Sequence, residues 1–492
     1  MPLVAGVDSS TSACKIEVRD ADSGELVASG RASHPPTTPP RSEQRPADWW
    51  SAFEEACEQA GVLGSHRPDA IAVAGQQHGL VVVDEAGDVL RPAKLWNDTE
   101  SAPDAADLVE RLGAGVWAQA CGSVPVPSFT ITKLHWLRRT EPEVFAQVAQ
   151  ILLPHDWLTA QLTGGFTTDR GDASGTGWWS PAEERYRTDL LDLVDDSVSW
   201  EPMLPEVLGP DDQAGTWSAV GAIVAPGTGD NMAAALGLGL RPGDVALSLG
   251  TSGTAFAVSE RPATDPTGTV AGFAAADGRY LPLVCTLNAT KASDAVARLL
   301  GVDHAELDRL ALAAEPGAGG LVLVPHLDGE RTPNRPDATG TLTGIRSDVT
   351  REQLARAAFE GVVCNLLAGA DHLAEWTEPT PDGRVVLVGG GARSAAYRQV
   401  VADLTGRCVH VPSEDELVAR GAAVQAAAVL SGHSTTAVAE AWVSGTDAVV
   451  EPVPGTAGDE VRGAYAEAMV ARHAADAGHT TTLELEGTPH GR

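Results

Sequence analysis

Two short stretches decide the fold: Val7-Asp8-Ser9-Ser10-Thr11-Ser12-Ala13 near the start of the chain and Leu247-Ser248-Leu249-Gly250-Thr251-Ser252-Gly253 at its middle. Each reads as the end of a strand, a loop of small residues containing Thr-Ser, and the start of a second strand, Lys15 to Val18 in one copy and Ala255 to Val258 in the other. Thr-Ser pairs are common and the match is short. Position gives it weight, because each copy opens one half of the chain. Two such hairpins facing each other across a cleft would grip a phosphate chain from both sides.

Working outward from the first copy, Leu3 to Asp8, Ala13 to Arg19 and Leu26 to Ala32 read as strands. Pro46 suits the first turn of a helix, and Trp49, Trp50, Phe53, Ala56 and Cys57 recur at helical spacing behind it. A buried strand, Ala70 to Ala74, follows. Three strands, a helix and a strand open many α/β domains with a mixed sheet. Around the second copy, Arg241-Pro242-Gly243-Asp244 is a turn and Val245 to Leu249 a new strand. That half closes with a β-α-β-α run: Val385 to Val388, Ser394 to Leu404, Cys408 to Val411 and Leu417 to Leu430. The expected division is an N-terminal domain over 1–241, a C-terminal domain over 242–485, and a polar, frayed tail over 486–492.

A chain of 492 residues has room for two ordinary domains. The formal net charge of −33 argues against nucleic acid, whose phosphates such a surface repels. It repels free ATP as well, so a triphosphate site needs local positive charge and a divalent metal. The plainer reading of the acidity is solubility. Six cysteines stand singly with no C-x-x-C spacing, which indicates neither a zinc ribbon nor a redox motif. There is no apolar run of the roughly 18 residues a membrane span requires, and no leader-like start. A cytoplasmic protein without membrane or nucleic-acid partners is expected; a homodimer is compatible with the sequence and undetermined by it.

Asp8 ends the first strand. Either its side chain closes an Asx-turn, or it holds Mg²⁺ through water beside a phosphate cradled by the loop, with Lys15 adding positive charge. Asp230, in Thr228-Gly229-Asp230-Asn231, is either a helix N-cap or a general base whose pKa the helix dipole would keep low. Gly75-Gln76-Gln77-His78-Gly79 follows a strand and offers donors and acceptors suited to sugar hydroxyls. In Leu95-Trp96-Asn97-Asp98, Trp96 is a core residue or a wall for a sugar's C–H face, with Asp98 bonding hydroxyls. Gly389-Gly390-Gly391-Ala392 lets a ligand approach the backbone and suits adenosine, without matching the dinucleotide fingerprint. Leu327-Asp328-Gly329-Glu330-Arg331-Thr332-Pro333 is a charged turn-rich loop with no assignable task beyond cleft closure.

Together these segments, with Ser394 after the glycines, resemble the FGGY carbohydrate kinases from about Val4 to Leu430, and within that family the members acting on ketopentoses. The resemblance implies an α/β fold of two actin-like (ribonuclease H-like) ATPase domains with a catalytic cleft between them. It implies Mg²⁺ and ATP, and a reaction taking D-xylulose to D-xylulose 5-phosphate. Asp230 would be the catalytic base and Asp8 an essential carboxylate near the metal. Gln77, His78, Trp96 and Asn231 match sugar-pocket positions; Thr11, Ser12, Lys15, Gly250, Thr251, Gly390 and Gly391 match ATP-site positions. The first loop reads Asp8-Ser9-Ser10-Thr11-Ser12 where the family often has Asp-Leu-Gly-Thr-Ser. Gln77-His78 stands where many ketopentose kinases have Met-His and glycerol kinases have Arg-Glu, which argues against glycerol. Ribulose or gluconate as the acceptor, an actin-like ATPase, and a sugar sensor are the alternatives.

Overall fold

The computed structural model describes residues 2–442, apart from 379 and 381, and residues 448–485. Two seven-stranded mixed sheets carry the fold. In the first, Leu3–Ser9, Ala13–Asp20 and Leu26–Ser33 form an antiparallel meander, and Ala70–Gly75 lies parallel to Leu3–Ser9 on its other side. In the second, Val245–Leu249 pairs antiparallel with Gly253–Ala257, which pairs with Tyr280–Thr286, while Val385–Val388 lies parallel to Val245–Leu249. The strand order is therefore the same in both sheets, and the short repeat in the sequence marks equivalent hairpins.

The helix expected at Pro46 runs over Pro46–Ala60, with proline in the first turn and Gly61 in the left-handed conformation closing it. Trp49, Phe53, Ala56 and Cys57 form its buried face against the outer side of the first sheet. Helix Arg351–Ala370 covers the outer side of the second sheet in the same way. A third core lies between the sheets, where Ala70, Ala72 and Ala74 meet Ala246, Phe256 and Val386 around the helices Asp230–Gly237 and Leu417–Ser431.

Leu417–Ser431 comes from the second half of the sequence yet packs on the first sheet. Its approach is close because small residues face it: a Cβ on Gly6 would fall 1.9 Å from the Ala419 carbonyl oxygen, and one on Gly421 would fall 1.8 Å from that of Ala233. The two halves are thus joined along a seam of alanine and glycine. A long helix, Gly458–Leu485, adds to the second half; it has no strong apolar period in sequence. The tail from Glu486, expected to fray, lies outside the described residues. Among the described residues no helix is long and apolar enough to cross a membrane.

Candidate active site

Asp8, Gln76-Gln77 and Asp230 meet because three chain segments end at one edge of the first sheet. Leu3–Ser9 and Ala70–Gly75 run parallel as neighbours, and Thr228–Gly229 pairs with the last two residues of Ala70–Gly75. Carboxyl ends of adjacent parallel strands are where α/β sheets bind ligands.

Asp8 lies within its strand, opposite Lys15 in the register, and its Oδ2 is 3.2 Å from Lys15 Nζ. It makes this ion pair in place of an Asx-turn. Burial raises its pKa against the pull of Lys15. Its second oxygen, Oδ1, is buried and accepts no hydrogen bond. A buried carboxylate oxygen without a donor is costly unless a cation or water meets it, and hard divalent ions take such ligands. Lys15 Nζ also lies 2.6 Å from Glu416 Oε2, so two carboxylates share its charge.

Asp230 is the first residue of its helix and Gly229 is the N-cap. The capping role therefore fails. Its Oδ1 instead accepts from Asn231 Nδ2 at 2.9 Å. The expectation of a low pKa is also overturned: burial, then the fields of Asp8 and Asp172, push it up to about 7. An eight-residue helix supplies a dipole worth about 1 kcal/mol, too little to offset desolvation beside two carboxylates.

Asn231 Nδ2 donates as well to Gln77 Oε1 at 2.8 Å, which turns the Gln77 amide so that its Nε2 is a buried donor without a partner. Gln76 Nε2 is a second such donor. Thr11 Oγ1 donates to Gln76 Oε1 at 3.0 Å and accepts from Trp96 Nε1 at 2.9 Å, so Thr11 joins the turn of the first hairpin to the half-buried Trp96. His78 sits at φ 65° with its ring stacked on Phe129, centroids 4.9 Å apart. Burial pushes its pKa down to about 3. The ring is neutral, Nδ1 donates to the Gly175 carbonyl at 2.7 Å, and Nε2 is left as an acceptor. Free amide donors, a neutral imidazole acceptor and a basic carboxylate suit a polyhydroxylated ligand.

Asp98 does not join this set. It is fully buried, accepts from Lys94 Nζ at 3.0 Å and from the Ser42 amide at 2.8 Å, and anchors the loop that carries Trp96.

On the second sheet, Gly250 and Thr251 form the turn of the equivalent hairpin, while Ser12 is exposed at the turn of the first. Gly389 takes φ 84°, and a Cβ on Gly391 would fall 2.7 Å from that of Leu249, so both positions require glycine. Gly390 is exposed and opens on a cavity of about 520 Å³ lined also by Gly391, Ser293, Phe359 and Tyr397. That volume accommodates a nucleoside.

A buried charged group behind Asp230 has no motif to announce it in the sequence. His155 Nδ1 lies 2.7 Å from Asp172 Oδ2 and its Nε2 3.2 Å from Asp156 Oδ1. Burial opposes the imidazolium, yet Asp156, Asp172 and Asp169 outweigh it and hold its pKa near 9. Asp169 accepts from Thr228 Oγ1 at 2.7 Å, pinning the strand that delivers Asp230.

Two hairpins, a nucleoside-sized cavity and a set of free amide donors around a buried carboxylate are the arrangement of a phosphotransferase acting on a small polyol. Residues 3–237 match the N-terminal domain, and residues 245–430 the C-terminal domain, of the FGGY family of carbohydrate kinases. The chain belongs to this family and is a sugar kinase, whose substrates are a sugar and ATP. Its relatives include the xylulose kinase of Streptomyces rubiginosus, 49% identical over 461 residues, covering 92% of this chain and 93% of the relative. The xylulose kinase of Escherichia coli is 36% identical over 415 residues, 82% of this chain and 84% of that one. The crystal structure of xylulose kinase from Bifidobacterium adolescentis superposes with a TM-score of 0.85 at 44% identity, covering 95% of this chain and 99% of that one.

Proposed function

We propose that the protein transfers the γ-phosphoryl group of ATP to the terminal hydroxyl of D-xylulose, giving D-xylulose 5-phosphate and ADP. The observation that carries this reading is the amide of Asn231, which donates both to Gln77 and to the buried carboxylate of Asp230 and so joins the two side chains in one hydrogen-bonded unit. The relatives named xylulose kinase supply the choice of sugar.

Gln76, Gln77, His78 and Trp96 hold the ketose with its terminal hydroxyl toward Asp230. Asp230 takes the hydroxyl proton as the oxygen bonds to the γ-phosphorus and the bond to the β-phosphate oxygen breaks, releasing ADP. A base with a pKa near 7 is part-ionised near neutral pH and accepts a proton readily. Thr11, Ser12, Gly250 and Thr251 receive the phosphates, Lys15 balances their charge, and Gly390 and Gly391 bound the nucleoside cavity. The unpartnered Oδ1 of Asp8 fits Mg²⁺ held through water. When bound, that ion screens the triphosphate against the acidic protein. Positioning and electrostatics supply the rate. Six free thiols accord with a reducing cytoplasm.

The test is a coupled ADP-release assay with Mg-ATP against D-xylulose, D-ribulose, L-ribulose, gluconate and glycerol, run on the protein and on Asp230→Ala. D-xylulose should stimulate turnover most, and the variant should abolish it. No stimulation by any sugar in folded protein would overturn the kinase reading of the site; a better sugar than D-xylulose would overturn the substrate.

A further inference from the structure

We infer that Arg331 is a catalytic residue, the cation that meets the phosphoryl group in transfer, a role that rests on the kinase reading above. The transfer moves negative charge into a cleft that already holds Asp8 and Asp230. The nearby lysine of the first hairpin, Lys15, is shared by Asp8 and Glu416 and has little charge to spare. Arg331 has no carboxylate within 4 Å among the described residues, and its charge pulls down the pKa of the Cys285 thiol, which burial raises. Several arginines of this acidic chain lack a carboxylate partner among the described residues; Arg331 differs in sitting on a loop bonded to the segment that holds the second hairpin.

The backbone around it is fixed to the second phosphate hairpin. Leu287 N and Asn288 Nδ2 donate to Glu330 at 2.5 and 2.9 Å, and Ala289 N and Thr290 N donate to the carbonyls of Thr251 and Gly250 at 3.1 and 3.0 Å. Four consecutive residues thus hold the loop of Arg331 on one side and the hairpin turn on the other. Glu330 is 1% exposed and also accepts from Asn365 Nδ2 at 3.0 Å and from the Arg331 amide at 2.8 Å. Thr332, on the far side, donates to the Cys285 carbonyl at 2.8 Å. Arg331 is the one side chain of this trio that is not buried. Its charge reaches across to the first domain, where it is among the groups that disfavour protonation of His78. The loop thereby presents a guanidinium between the hairpin of one domain and the sugar pocket of the other. A planar, permanently charged fork matches phosphoryl oxygens better than an ammonium does.

The experiment compares Arg331→Ala, Arg331→Gln and Arg331→Lys with the unaltered protein in the D-xylulose ADP-release assay, with binding of a non-hydrolysable ATP analogue and unfolding temperature measured alongside. Arg331→Ala should lower kcat by about 10³-fold, the scale of arginines that stabilise phosphoryl transfer. KM for the sugar and Kd for the analogue should stay within about threefold, Arg331→Lys should recover little, and added guanidinium at a non-denaturing concentration should restore part of the loss. Arg331→Gln carries the same test if the alanine variant does not fold. A kcat within tenfold of the parent, a loss confined to sugar KM, or a loss that guanidinium leaves untouched would overturn the assignment. An unaltered protein that no sugar stimulates would instead remove the kinase reading, and this inference with it.

Discussion

Lys15 and Glu416, 401 positions apart in sequence, are joined by an ion pair of 2.6 Å that ties the first phosphate hairpin to the segment entering Leu417–Ser431. Two residues earlier, Glu414 reaches the buried Arg19 at 2.8 Å, so this acidic segment is clamped along strand Ala13–Asp20 at two points. The clamp closes the seam between the halves and also occupies Lys15, the cation proposed to balance the phosphates of ATP.

Glu416→Gln should therefore lower the KM for ATP. Both partners are part-exposed, so the pair is worth about 1 kcal/mol, equivalent to about fivefold in affinity. Hydrolysis of ATP without sugar should rise with it, because Lys15 no longer has to leave a partner. Steady-state ADP release with and without sugar reads both. A higher KM would mean that Glu416 holds Lys15 in place for ATP and does not compete with it.

Asp230 links activity to stability in opposite directions. Its folded-state pKa of about 7 lies above the ordinary 3.8, so unfolded chains ionise it first. The stability that its protonated form allows is present below pH 4 and is lost as pH rises to 7. Asp230→Asn should abolish turnover yet raise the unfolding temperature at pH 8, with the gain shrinking toward pH 4. The ceiling is about 4 kcal/mol, at 1.36 kcal/mol for each of roughly three pKa units. Thermal unfolding at both pH values measures it, and a variant less stable at pH 8 would contradict the burial argument.

What could be read from the sequence was whatever repeats or sits in a loop of restricted chemistry. The Thr-Ser hairpins, the strand before Gly75 and the helix at Pro46 follow from local pattern, and the structure places them within a residue or two. Gln77, His78 and Asn231, proposed for the sugar pocket, drew notice for the same reason, standing beside or close to glycines at strand ends. The state of Asp230 was not visible, because a pKa depends on what lies behind the residue. Here that is Asp172, 58 positions upstream in sequence, on the four-residue helix Arg170–Ala173. Asp98 misled in the opposite sense: read as bonding sugar hydroxyls, its carboxylate is taken up by Lys94 in its own segment and by the distant Ser42 amide. Leu417–Ser431 was recognisable as a helix, but its seat on the first sheet depends on Gly6 and Gly421 meeting alanines far away in the chain.

The buried group behind the base gives a sharper test of how Asp230 acquires its basicity. Asp8, Asp172 and Asn231 are the polar groups that act on it; the two carboxylates raise its pKa and the Asn231 bond lowers it. Removing the charge of Asp172 while keeping its shape, as in Asp172→Asn, takes away one of the two raising fields. The acid limb of kcat against pH should then move to lower pH by about half a unit to one unit, the size of a single carboxylate field in a buried site. His155 loses one anionic partner in this variant but retains Asp156 at 3.2 Å and Asp169 at 3.8 Å, so its imidazolium remains paired and the fold is preserved. Asp156→Asn is the matched control. It alters the same buried group from its far side, where the carboxylate faces His155 Nε2 and the Leu153 amide and is not among the groups acting on Asp230. Titration of ATP itself is common to all three proteins, so only the difference between their profiles counts. A limb that shifts equally in both variants would trace the effect to loosened packing around His155, and a limb that moves only in Asp172→Asn would assign the base strength of Asp230 to the field of its buried neighbour.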